Sequence, residues 1–169
     1  MHTFLGRMLL IVGMIGVMLN AGNGYAEIVK PPVVLNEDLV VTEIAPECFL
    51  VTHKFPWGGN SLLVKVSPTD IVFVDTPYEN QATQRVIEWI RATFGAMRVT
   101  EINTGFHWDN LGGNEYLEEQ QIPVYGTDLT VQLLTDRAED TRAQTLEMLK
   151  TPKHQRFYDV HKTQKFVAP

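Results

Sequence analysis

One cysteine in 169 residues leaves no pair for an intramolecular disulfide and no set for a cysteine-only zinc cluster. Basic side chains are scarce as well. Fourteen Lys and Arg stand against 20 Asp and Glu, a formal charge of −6 with an isoelectric point near 5.3, which argues against nucleic acid as a partner. No internal repeat and no low-complexity tract occurs. What remains is ordinary globular composition, with 44% hydrophobic and 20% charged residues, enough for one domain at most.

The longest apolar run is also too short to span a bilayer, which takes about 20 consecutive apolar residues. Met8 to Leu19 follows Arg7 and is closed by Asn20 and glycine-rich sequence, and Gly24-Tyr25-Ala26 offers small residues at both cleavage-site positions. That is the pattern of a secretory signal peptide over residues 1–26, cut before Glu27, leaving an exported, periplasmic or secreted chain over 27–169 with no stable membrane anchor. In an oxidising compartment Cys48 has no partner within the chain. It opens the apolar run Cys48 to Thr52 with no Lys, Arg or His beside it, and is read as a small core hydrophobe.

After Pro31-Pro32, four runs rich in Val, Ile and Leu follow one another: Leu39 to Ile44, Cys48 to Thr52, Ser61 to Val66 and Ile71 to Val74. Separated by Pro, Gly, Asn and Asp, they predict a meander of strands. The period then changes. Ala82, Val86, Ile90 and Phe94 recur every four residues, predicting an amphipathic helix with Asn80 as candidate cap and Gly95 as stop. Val99 to Ile102 and Ile122 to Tyr125 read as strands, Gly112 to Glu119 as a short helix, and Leu129 to Leu134 as the opening of another behind Thr127 or Asp128. Ala138 to Lys150 reads as a solvated outer helix stopped by Pro152, and residues 153–165 as a polar tail in which His154 and His161 are exposed. A meander followed by alternating helices and strands predicts an α/β fold with a mixed sheet. The helical stripes suffice for one face of that sheet only, so the fold is expected to be incomplete as it stands.

The stretch that carries chemistry runs from Asn103 to Asn114, between a strand and a glycine-rich helix start, where α/β sheets place ligands. His107 and Asp109, two residues apart, offer an imidazole nitrogen and a carboxylate to a cation. A surface histidine and a helix-capping aspartate account for the same pair equally well.

Asn103 to Leu117 resembles the metal-binding motif of the metallo-β-lactamase superfamily, His-x-His-x-Asp-His before a Gly-Gly helix start. Gly59 to Val64, Val72 to Tyr78 and Ile122 to Thr127 are similar, in the same order, to the segments that flank this motif in the β-lactamase branch. The resemblance implies an αββα sandwich of two mixed sheets, of which residues 27–169 would be the N-terminal part. It implies one or two zinc ions and a small β-lactam-like substrate hydrolysed at its amide carbonyl. By the same resemblance His107 would be a first-site zinc ligand and Asp109 a second-site ligand and the catalytic group that orients the nucleophile. Asp75 would support the motif from beneath, and Trp57, in the loop His53 to Asn60, would belong to a substrate flap. Two positions depart from the pattern, Gly105 at the first His and Asn110 at the last, and the family's later ligands have no counterpart. Phe166 to Pro169 resembles the segment that opens the family's second half. Zinc binding by this chain alone is therefore expected to be weak or absent. A non-catalytic or decayed scaffold with a binding role is the alternative, and a short domain completed by dimerisation a third.

Expressed from Met1 in a host that exports it, the mature product is expected to begin at Glu27. N-terminal sequencing decides this, and retention of Met1 on the exported protein contradicts it.

Overall fold

The computed structural model describes residues 30–169. The signal-peptide reading of residues 1–26 lies outside the described residues. Five strands form an antiparallel meander: β1 (Val33–Asn36), β2 (Leu39–Ala45), β3 (Cys48–His53), β4 (Gly59–Lys65) and β5 (Asp70–Val74). Helix α1 (Asn80–Phe94) crosses over to β6 (Arg98–Ile102), which runs parallel to β5, and β7 (Val124–Tyr125) runs parallel to β6. The result is one seven-stranded mixed sheet in sequence order, with α2 (Trp108–Leu111) and α3 (Asn114–Glu119) between β6 and β7. Helices α4 (Asp128–Leu149) and α5 (Gln155–Thr163) follow. Among the described residues no helix is long and apolar enough to cross a membrane.

Alternation sorts the strands into two faces. Leu39, Val41, Phe49, Val51, Leu63, Ile71, Phe73 and Val99 point to one side and close a core with Val86, Ile87 and Ile90 of α1 and Leu117 of α3. The opposite face carries Val40, Leu50, Leu62, Val64, Val72 and Val74, all half-buried and none part of either apolar cluster. Leu50, Leu62, Val74 and Ile102 line up in register across β3 to β6 on that open side. Cys48 sits on the same side, paired with Val64 and half-buried, so it is not the core residue expected from its apolar neighbours. Its place in the alternation sends it away from α1.

Other differences have local causes. The Pro31-Pro32 leader continues into an edge strand, β1, because Val33 and Val34 pair with Val41 and Val40, and Asn36 accepts from Asp38 N–H (2.8 Å) at the turn. Asn80 is the first helical residue rather than the cap. Its amide is taken up by α3 instead, donating to Glu115 Oε2 (2.8 Å) and accepting from Tyr116 N–H (3.2 Å). Residues 129–134 and 138–149 belong to one helix, since no Gly or Pro lies between them, and Thr127 caps it by accepting from Thr130 N–H at 3.1 Å. The polar tail after Pro152 is a 3-10 turn and then helix α5, held to the body by Phe157, which is 1% exposed.

The two faces should respond differently to truncation. Phe73→Ala, at a fully buried position, is expected to cost about 3–5 kcal/mol of unfolding free energy. Leu62→Ala on the open face should cost about 1 kcal/mol. Denaturant unfolding of the two variants side by side checks the difference.

Candidate functional site

Because β5 and β6 are parallel neighbours, with Val74 opposite Ile102, their following loops leave the sheet side by side. Asp75 N–H donates to Ile102 O (3.1 Å), and Asp75 turns into the left-handed region (φ 58°), which Asp tolerates better than bulkier residues. Its carboxylate then faces the neighbouring loop and accepts twice from Thr104, from the amide at 2.8 Å and from the hydroxyl at 2.6 Å. Thr76 makes a second tie. Its N–H donates to Asn110 O (2.9 Å) and its hydroxyl accepts from Gly113 N–H (2.8 Å). Gly113 is needed for this approach, since a Cβ there would collide with the side chain of Thr83.

Beneath the loop lies a buried polar layer. Asn103 donates to Asn110 O (2.7 Å) and to Glu101 Oε1 (3.2 Å), and accepts from Asn114 Nδ2 (2.7 Å). Glu101 is fully buried, and burial first and the charge of Asp75 second push its carboxyl well above the usual range. Sequence reasoning did not single out Glu101. The signal available was an acid in the inward-facing register of a Val-Thr-Glu-Ile strand.

The loop divides its side chains between two environments. His107 is exposed at the start of α2, its ring 4.2 Å from that of Phe106, and Asp109 is half-buried in the first turn of the same helix. Burial, and after it the charge of Asp109, push the Tyr78 phenol up to about 12. Trp108, between them, is buried against His161 (centroids 3.6 Å apart) and Phe166 (3.9 Å). The guanidinium of Arg142 lies 4.5 Å from the Phe166 ring centre and donates to the carbonyls of His161 and Gln164 (3.0 and 2.9 Å). Gln164 reaches Gly112 O, and Val167 O accepts from Asn114 Nδ2 (2.9 Å), so α5 and the tail are strapped to the back of the motif.

Trp57 is half-buried, 6.3 Å from Tyr78 and 5.8 Å from His154, and its loop neighbour Phe55 packs on Phe157. His161 is not the exposed residue expected of a polar tail. It is fully buried, four residues after Phe157 on the inner side of α5, and burial, then Arg142, hold its pKa down at about 3. His154 is half-buried and within 3.1 Å of Thr151 Oγ1. His53 is 2% exposed, edge-on to Tyr78, with neither ring nitrogen partnered, and burial lowers its pKa to about 4.

The chain is similar to known proteins over part of its length. A metallo-β-lactamase type 2 of Pseudomonas aeruginosa is 36% identical over 81 residues, 46% of this chain and 32% of its own length. One from Bacteroides fragilis is 21% identical over 118 residues, covering 66% of this chain and 47% of that protein. The solved metallo-β-lactamase from Pontibacter korlensis superposes with a TM-score of 0.55 at 25% identity, over 59% of this chain and 48% of that one. The described residues carry part of the metallo-β-lactamase fold. No protein-family model matches the chain, which spans between about a third and a half of the length of the curated relatives it matches.

Against that fold the donor set is short. His107 and Asp109 are the two side chains from His107 to Asn110 of a type that can ligate a metal ion, and among the described residues no group of three or more His, Cys, Asp or Glu is placed to hold one. A catalytic zinc takes three protein ligands, so these residues by themselves do not fit one.

The buried groups pull the pH response in two directions: Glu101, its carboxyl pushed up, favours folding as the pH falls, and the buried histidines oppose it. Unfolded, His53 takes up a proton near its ordinary 6.5, whereas folded it does so only at about 4. Between those values the unfolded chain binds more protons, so the contribution of this residue to stability falls as the pH drops from 7 to 4, by on the order of 3 kcal/mol. His161 acts in the same direction. Denaturant unfolding across this range should show the stability of His53→Leu gaining on that of the unsubstituted chain as the pH drops from 7 to 4, and a constant difference between the two would contradict it.

Proposed function

We propose that this chain is part of an exported, zinc-dependent hydrolase of the metallo-β-lactamase type, acting on the amide bond of a β-lactam. The observation that supports it is the His107-x-Asp109 turn at the C-terminal ends of β5 and β6, braced by Asp75 through Thr104, within a fold shared with metallo-β-lactamases. His107 and Asp109 would contribute two donors to the metal centre, Asp109 also holding the nucleophile in line, with the remaining donors supplied from outside the described residues. Asp75 positions the turn rather than touching the reacting atoms. Trp57, beside Tyr78, would border the substrate. The apolar run and small-residue site within residues 1–26 support export.

A second reading, a scaffold that has lost catalysis and retains a binding role, is favoured by one observation. The space at Gly105, where the family motif has its first histidine, is taken by the side chain of Asn110.

Zinc titration separates the readings for the chain over 27–169. Two donors predict binding in the range of tens of micromolar or weaker, and stoichiometric sub-micromolar binding, seen by calorimetry, would contradict the two-donor site. The natural gene product, purified with zinc, is expected to open a chromogenic β-lactam and to lose that activity to a chelator. Absence of turnover with zinc bound would move the substrate to another class, a thioester or phosphodiester, and absence of zinc binding altogether would favour the scaffold.

A further inference from the structure

The motif's two departures, Gly105 and Asn110, meet in space. A Cβ on residue 105 would come within 2.7 Å of Asn110 Oδ1 and 3.1 Å of its Cγ. The backbone gives no other reason for glycine there, because Gly95 is the glycine with positive φ among the described residues. What residue 105 lacks is room, and the Asn110 amide is what takes it.

Asn110 is also held where it is. Its carbonyl accepts from Thr76 N–H (2.9 Å) and Asn103 Nδ2 (2.7 Å), fixing the backbone from both strand ends. Its Nδ2 donates to Thr104 Oγ1 (3.4 Å), and that hydroxyl in turn donates to Asp75 at 2.6 Å. The amide therefore closes a chain of donors ending on the Asp75 carboxylate.

We propose that Gly105 and Asn110 are a coupled pair that shuts the first ligand position of the motif. The amide fills the volume of the absent side chain and joins the Asp75–Thr104 link, leaving residue 105 without a metal donor. The identity of residue 105 as a ligand position rests on the metallo-β-lactamase reading, while the packing of the pair does not. Restoring a ligand at 105 is then insufficient. An imidazole introduced there must first displace the amide, and a carboxamide oxygen left in the site is a poorer zinc donor than the imidazole or thiolate that zinc sites use.

Two arms test this. In zinc-free protein, Gly105→Ala should lower Tm by about 3 °C while Asn110 is present. In an Asn110→Gly background the same change should leave Tm unaltered or raise it, because alanine restricts the unfolded chain. Additive effects in this double-mutant cycle would overturn the pairing. In the second arm, cobalt(II) absorption and zinc competition report on binding. Gly105→His alone should gain less than threefold in affinity over the unsubstituted chain, and Gly105→His with Asn110→Gly at least tenfold. Equal gains in the two backgrounds would overturn the closure. Should Gly105→His fail to fold, the alanine cycle still decides. An inactive natural gene product with a coupled cycle removes the hydrolase reading alone, and an active one with an additive cycle removes this inference alone.

Discussion

The carboxylate of Asp75 joins two strand ends that are far apart in sequence, and the candidate site depends on that join. Thr104 presents both its amide and its hydroxyl to it, at 2.8 and 2.6 Å, across 29 residues of chain. Hydrogen bonds to a charged acceptor contribute about 1.5–3 kcal/mol each, more than the neutral bonds that hold the rest of the loop. The link is possible because β5 and β6 are parallel and in register, which requires a crossover connection; α1 supplies it and buries the sheet face beneath. A break in that pairing would release the loop from Thr104 to Gly113 at its base.

Around this link the structure arranges polarity in layers. Glu101, Asn103 and Asn114 are buried under the loop and hydrogen-bonded to one another through Asn103, with Glu101 Oε2 unpartnered, so the turn rests on a polar floor rather than on an apolar one. On the far side Trp108 is gripped by His161 and Phe166. The His107-Trp108-Asp109 run is thus held through its middle residue, and the two potential donors on either side of it inherit that placement. Rigidity of this kind suits a site that must present donors in one geometry. Here it also preserves the shape of the turn while Asn110 stands over Gly105.

The sheet itself is unevenly covered. One face is sealed by α1 and α3, and the other keeps Leu50, Leu62, Val72 and Val74 half-buried. Helices α4 and α5 pack on each other and on the end of the sheet near the motif, through Leu149, Phe157, Trp108 and Tyr78, instead of lying across that second face. The asymmetry follows from hydrophobic placement. The α1 stripe buries Val86, Ile87 and Ile90 on the sheet, whereas α4 and α5 bury Leu149 and Phe157 in the aromatic cluster and leave Leu129 and Met148 exposed.

Much of this was legible in the sequence. The alternating runs from Leu39 to Val74 and the four-residue period of α1 follow from local geometry alone, since strand and helix each impose their own spacing on apolar side chains. The motif from Asn103 to Asn114 could be picked out by residue type and by its place between strand and helix. Tertiary structure decided what periodicity cannot encode: the union of two helical segments into α4, the burial of His53 and His161, the central role of Glu101, and the contact between Asn110 and Gly105. Each of these depends on which surfaces meet when distant segments pack. A sequence specifies the side chains able to ligate or be buried, but the volume available to each is set by its neighbours in space, and at residue 105 that volume is already filled.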